Sequence, residues 1–158
     1  MQPSMRWLVV GTALCALSIS FGVAAKDARL GKWKLNVEKS KFDPGPGPKS
    51  LKLVFEPAGK GVHLKTEQVN ADDSKGGVEY TANFDGKDYP LKGSPIADMT
   101  SLKRVDATTV IRIDKKDGKP VMTYRSVTTK DGKSYTVDTE GTNAKGEAVK
   151  NHLVFERE

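Results

Sequence analysis

Beyond residue 30, apolar and polar positions alternate with a period of two, and no stretch carries a convincing 3.6-residue apolar period. Turn signals break the alternation at short intervals, which predicts strands over 31–37, 50–56, 62–69, 77–84, 87–91, 99–105, 108–114, 120–128, 134–141 and 148–157. The pairs Asp85-Gly86, Asp117-Gly118 and Asp131-Gly132 suit tight hairpin turns, because Asp and Gly tolerate positive φ. Asp106-Ala107 is a fourth candidate turn, and Pro57–Gly61 a fifth.

These turns fix registers. Centring one on 117–118 sets Ile113 opposite Met122 and Ile111 opposite Tyr124. Centring the next on 131–132 sets Tyr124 opposite Thr139 and Ser126 opposite Val137, and a turn at 106–107 sets Leu102 opposite Ile111. One face then gathers Leu102, Ile111, Ile113, Met122, Tyr124, Tyr135 and Val137. The other gathers Lys103, Arg112, Thr123, Arg125, Thr136, Asp138 and Glu140. A one-residue slip would mix the two sets. In the N-terminal half Leu51, Leu53 and Phe55 pair with Thr66, Leu64 and Val62, while Tyr80 faces Leu91 and Ala82 faces Tyr89 across Asp85-Gly86. Successive hairpins with one dry face must close or double over to hide their edges. The expectation is an all-β, antiparallel up-and-down β-barrel of eight to ten strands, with a two-sheet sandwich as the alternative. Up-and-down order puts the short turns at 85–86, 106–107 and 131–132 at a sealed end with the chain terminus. The longer connections 42–49, 70–76, 92–98 and 142–147 rim an open mouth.

The first 25 residues follow a different pattern. Arg6 precedes a mostly apolar run from Trp7 to Val23, and Val23-Ala24-Ala25 offers small residues for cleavage before Lys26-Asp27. This is the pattern of a secretory signal peptide, and the run is short and polar for a membrane span. A retained anchor and a lipoprotein site at Cys15 are the alternatives. Cleavage near Ala25 leaves a single domain over 26–158, periplasmic or secreted, with no membrane span. Cys15, the one cysteine, leaves with the leader, so the domain must hold itself together without disulfides.

Composition narrows the function classes. The chain has 158 residues, 29% charged and 7% aromatic, with a net charge of +6 that is spread as Lys beside Asp or Glu. Without a basic stripe interleaved with aromatics, nucleic acid is not an expected partner.

Gly31-Lys32-Trp33 at the first strand resembles the calycin superfamily, which includes lipocalins and fatty-acid-binding proteins. The closing Leu153-Val154-Phe155-Glu156-Arg157 is similar in pattern to the last strand of fatty-acid-binding proteins. With Trp33-Lys34-Leu35-Asn36, Lys39-Ser40-Lys41-Phe42 and Pro44-Gly45-Pro46, the chain from about 30 to 157 most resembles bacterial secreted lipocalin-like proteins of unassigned function. The resemblance implies a calycin-like barrel whose floor is closed by an arginine stacked on Trp33, with Arg157 and Arg104 as candidates. Two departures stand out. The Pro-rich segment 43–48 leaves no space for the helix pair of fatty-acid-binding proteins, and Leu153 and Phe155 stand where their carboxylate-holding Arg and Tyr would be.

The expected barrel interior is Leu51, Leu53, Leu64, Thr66, Gln68, Tyr80, Tyr89, Leu91, Thr100, Leu102, Ile111, Ile113, Met122, Tyr124, Val137, Thr139 and Leu153. Apolar walls with a few hydroxyls suit a small hydrophobic or amphipathic ligand. A packed barrel acting as an envelope structural or interaction protein, meeting a protein partner through the open-end loops, is the alternative. No cofactor, metal site or catalytic residue is expected. His63 and His152 both fall on outward parity, Asp138 falls opposite Arg125 and His152, and no serine sits in a nucleophile elbow. Asn70–Ser74 lacks the Gly and terminal Glu of a calcium loop.

Overall fold

The computed structural model describes residues 27–158; the leader assigned to 1–25 lies outside them. The strands are β1 (Gly31–Leu35), β2 (Ser50–Ala58), β3 (Gly61–Val69), β4 (Lys75–Gly76), β5 (Glu79–Asn83), β6 (Asp85–Pro90), β7 (Met99–Arg104), β8 (Thr109–Lys116), β9 (Lys119–Thr128), β10 (Ser134–Thr142) and β11 (Ala148–Arg157). Ten match the expected strands, and the two-residue β4 is additional. All pairings are antiparallel, and the last strand returns to the first, with Trp33 opposite Arg157 and Leu35 opposite Phe155.

The sheet thus curls into an up-and-down barrel with one seam. β5 pairs with β3 on one side, and β6 pairs with β7 on the other. Across the seam the one bridge among the described residues joins Glu79 of β5 to Lys92, two residues past β6, through backbone bonds of 3.0 and 2.9 Å. The expected Tyr80–Leu91 and Ala82–Tyr89 ladder is therefore absent, although the bridge keeps its register. Asp85 explains the loss. Its carboxylate accepts the Lys87 N–H at 3.0 Å and the Tyr89 hydroxyl at 2.8 Å. β6 also bulges between Asp85 and Asp88 where it pairs with β7. Local side-chain bonds of this kind compete with a regular ladder. At the mouth end of the seam two backbones nearly touch: a Cβ on Gly93, whose φ is +79°, would meet the Gly77 carbonyl oxygen at 2.2 Å.

The C-terminal registers follow the turn arithmetic. Tyr124 lies opposite Thr139, Ser126 opposite Val137, and Asp138 opposite both Arg125 and His152. β2 and β3 pair two residues away from expectation, with Leu51 opposite Gln68 and Leu53 opposite Thr66, which leaves each face unchanged.

β8 differs, and the difference inverts it. The Asp117-Gly118 turn pairs Lys115 with Pro120, but beyond it Asp114 pairs with Met122. Val121 is the extra residue of a β-bulge, which shifts the ladder by one. At the other end of β8, Asp106 accepts the N–H groups of Thr108 and Thr109 at 2.9 and 2.8 Å. This side-chain cap replaces the expected two-residue turn with a longer loop, and Leu102 faces Arg112 rather than Ile111. Ile111 and Ile113 are consequently on the outer surface, in a groove with Lys103 and Lys115, and Arg112 and Asp114 turn into the barrel.

The core fills the sealed half. Trp33, Phe55, Tyr135 and Phe155 are buried there, and the ring centroids of Trp33, Phe55 and Phe155 all lie within 5.4–5.7 Å of Tyr135. Such tilted and edge-on pairs add about 0.5–1.5 kcal/mol each beyond area burial.

Candidate site: an interior cavity with a polar waist

The floor is built by the segment before β1 and the end of β11. The backbone of 27–30 crosses the bottom of the barrel, where the Trp33 indole N–H donates to the Arg29 carbonyl at 2.7 Å. Arg157 lies over the Trp33 ring at 4.3 Å and donates to the carbonyls of Gly132, Leu30 and Ala28 at 2.8, 2.9 and 2.7 Å. Its guanidinium runs over Gly31, where a Cβ would come within 2.6 Å of Arg157 Nη1 and where φ is +122°. Glycine two residues before Trp33 is thus a steric and conformational requirement.

Arg104 is at the floor too, but not on Trp33. It stacks over Phe84 at 4.3 Å and donates to Asp27 at 2.8 Å. Asp27 also receives the Arg29 guanidinium through two bonds, at 3.1 and 2.7 Å. Burial works to raise the Asp27 pKa, but the Arg29 hydrogen bond and charge, with Arg104, hold the carboxyl well below the usual carboxylate range. The Arg29 side chain rises into the barrel beside Phe55 and Phe84.

Above the floor is a cavity of about 520 Å³. Of the expected interior residues, Leu51, Leu53, Leu64, Thr66, Gln68, Tyr80, Leu102, Tyr124, Val137 and Leu153 line it. Leu91, Thr100, Met122 and Thr139 are buried in the surrounding wall without lining it, and the Thr139 hydroxyl has no hydrogen-bond partner among the described residues. Tyr89 is half-buried with its hydroxyl bonded to Asp85, away from the cavity. Ile111 and Ile113, expected inside, are on the outer surface because of the shifts at both ends of β8. The mouth is rimmed by Asn70, Lys75–Val78 and Gly93–Pro95.

Sequence reasoning missed the group that gives the cavity its character. Arg112 donates from Nε and Nη2 to the two oxygens of Asp114, at 2.8 and 2.6 Å. Thr100, opposite Asp114 on β7, adds its hydroxyl at 2.7 Å. The guanidinium lies over the Tyr80 and Tyr124 rings at 4.9 and 4.4 Å. Burial alone would lower the Arg112 pKa, but Tyr124, Tyr80 and Asp114 beside it raise it, so the side chain is charged. Burial pushes the Tyr80 and Tyr124 phenols up to about 12 despite Arg112, so both are protonated at neutral pH. These groups form a waist. Below it lie Leu53, Leu64, Leu102, Val110 and Val137, with Phe55, Tyr135 and Phe155 toward the floor.

The histidines stand elsewhere. His63 bonds Glu79 at 3.0 Å and Glu56 at 3.4 Å, and His152 bonds Asp138 at 2.6 Å, all in exposed positions. Among the described residues no group of three or more His, Cys, Asp or Glu side chains could hold a metal ion.

Compared by sequence, the chain matches no family model and no curated protein. Compared by structure, it is similar to the zebrafish ileal bile acid-binding protein crystallised with cholic acid, with a TM-score of 0.49 and 10% identity over 83% of this chain and 99% of that one.

Proposed function

We propose that this chain is an exported carrier that encloses a small amphipathic molecule in the barrel, its apolar part toward the floor and its polar head at the waist. The observation that carries this reading is the cavity itself, about 520 Å³ with a mostly apolar bottom, where Arg29 is paired with Asp27, and a ring of polar groups above it. That size lies within the usual range for sites holding small molecules. A barrel serving only as a structural or docking module gains nothing from such a space, because unfilled volume forfeits packing contacts.

The energetics are adequate. Burying about 400 Å² of apolar ligand surface yields about 10 kcal/mol gross. Association costs of about 4 kcal/mol leave about 6 kcal/mol, a Kd in the tens of micromolar before polar contacts add to it. Reversible carriage suits that range. We read the interior as binding rather than catalytic, because both Asp114 oxygens are already engaged and the histidines stand on the exposed surface. Export rests on the leader pattern ending at Ala25.

Native mass spectrometry tests the reading. The purified protein should carry non-covalent mass that disappears on denaturation. Added amphiphile at a hundred times its Kd should stabilise the fold by about 2.7 kcal/mol, a thermal shift of several degrees. A bare mass with no shift across a panel of alcohols, acids and sterols would support the packed, protein-binding alternative instead.

A further inference from the structure

We propose that the cavity selects amphiphiles with an uncharged polar head over those with a carboxylate head. This rests on the carrier reading above and adds the class of its ligand.

The charged side chains lining the cavity are Arg29, Lys75, Arg112 and Asp114. A site that captures a carboxylate in a low-dielectric interior needs a positive charge free to meet it, since an ion stripped of water must be paired. Neither interior arginine is free. Arg112 is held by Asp114 through two bonds, and Arg29 is held by Asp27 through two bonds at the floor, where Asp27 also accepts Arg104. Lys75 is exposed at the mouth, where water already solvates it.

Asp114 cannot step aside. It is 1% exposed and also accepts the Thr100 hydroxyl. A fatty carboxylate reaching Arg112 would therefore share one guanidinium with a buried carboxylate, and like charges in one site resist ionising together. The waist is electrically balanced: one cation, one anion and two protonated phenols.

An uncharged head meets no such opposition. The Nη1 edge of Arg112 bonds no protein group among the described residues, nor does the Tyr80 hydroxyl. A hydroxyl, carbonyl or amide oxygen can accept from either donor, at a far smaller desolvation cost than an ion. The guanidinium is a fixed donor, because the Tyr80 and Tyr124 rings and Asp114 hold it in place.

The test is a matched pair, 1-dodecanol and dodecanoate, competing at pH 8 for the neutral dye Nile red bound to the full protein. Dodecanol should displace the dye at a concentration at least tenfold lower. Asp114→Asn leaves Arg112 without a carboxylate and should move the ratio at least tenfold toward dodecanoate. The double variant Arg112→Gln/Asp114→Asn, neutral at both positions, should keep the preference for the alcohol. Dodecanoate binding as tightly as dodecanol to the unsubstituted protein overturns the proposal. So does an Asp114→Asn protein that is folded by circular dichroism but leaves the ratio unmoved. If Asp114→Asn does not fold, the unsubstituted protein and the double variant decide. If dye and both amphiphiles all fail to bind, the carrier reading fails and the selectivity falls with it. If both amphiphiles bind without discrimination, only the selectivity falls.

Discussion

Replacing Trp33 with Ala tests how the floor is held. The indole is fully buried, touches Tyr135, lies beneath the Arg157 guanidinium, and donates its N–H to the Arg29 carbonyl. Truncating a buried tryptophan costs about 3–5 kcal/mol through lost transfer energy and the cavity left behind. The Arg29 carbonyl loses its donor, which alone costs about 1–3 kcal/mol when buried. Arg157 loses a ring worth about 0.5–2 kcal/mol. The terms overlap, so the expected total is about 5 kcal/mol, which would take all or most of the margin of many domains. Trp33→Phe keeps most of the volume and removes the N–H, so it should cost about 1–3 kcal/mol. The assay is urea unfolding followed by far-ultraviolet circular dichroism, with linear extrapolation to water. Fluorescence cannot serve, because Trp33 is the only tryptophan in residues 27–158. A loss below about 1 kcal/mol for Trp33→Ala, or equal losses for Ala and Phe, would refute this account of the floor.

Two further outcomes follow from the inversion of β8 and from the floor carboxylate. Arg112→Ala should destabilise by about 3–5 kcal/mol, because it leaves Asp114 buried and unpaired, whereas Ile113→Lys on the outer face should cost less than about 1 kcal/mol; urea midpoints check both, and the opposite ranking would restore the register read from the turn. Asp27 has a depressed folded pKa, so its stabilisation is complete above the ordinary carboxylate pKa of about 3.9 and is lost as pH falls below it. Unfolding free energy measured from pH 6 down to pH 2 should therefore fall less steeply in Asp27→Asn than in the parent, and identical acid limbs would remove Asp27 from the floor's ionic cluster.

The legibility of this chain in its sequence depended on what ended each strand. Between β9, β10 and β11 the connections are five residues each, no bulge interrupts the ladders, and the arithmetic holds, down to the row Arg125–Asp138–His152 on the outer surface. Around β8 it fails twice in the same sense, once at Val121 and once at Asp106. A bulge and a side-chain cap each displace the ladder by one residue, and neither leaves a mark in hydrophobic periodicity. The apolar pair Ile111 and Ile113 then reads as core because nothing in the pattern announces that they are outside. The interior pair Arg112 and Asp114 violates the expected inside-out pattern, and such violations concentrate where a fold does something other than pack. Gly31 and Trp33 were legible as a motif, but the reason for the spacing lies in Arg157, far along the chain. Asp27 and Arg29, just before the first strand, carry no signal in the pattern because they stand outside any alternation.

The floor also dictates an order of assembly. Arg157 is joined to the backbone of Leu30 and Ala28 across separations of 127 and 129 residues. The bottom therefore cannot latch until Arg157, at the end of β11, has come back to the segment before β1. Hairpins such as β2–β3 or β9–β10 can form from local sequence, whereas the β1–β11 junction must close the largest loop among the described strand pairings. Until then Trp33 and Phe155 lack the partners that bury them. Closure of the barrel is thus a long-range step that joins β1 to β11, and loss of the Arg157 side chain would leave every strand in place but release the lid from Trp33 and the three carbonyls it spans.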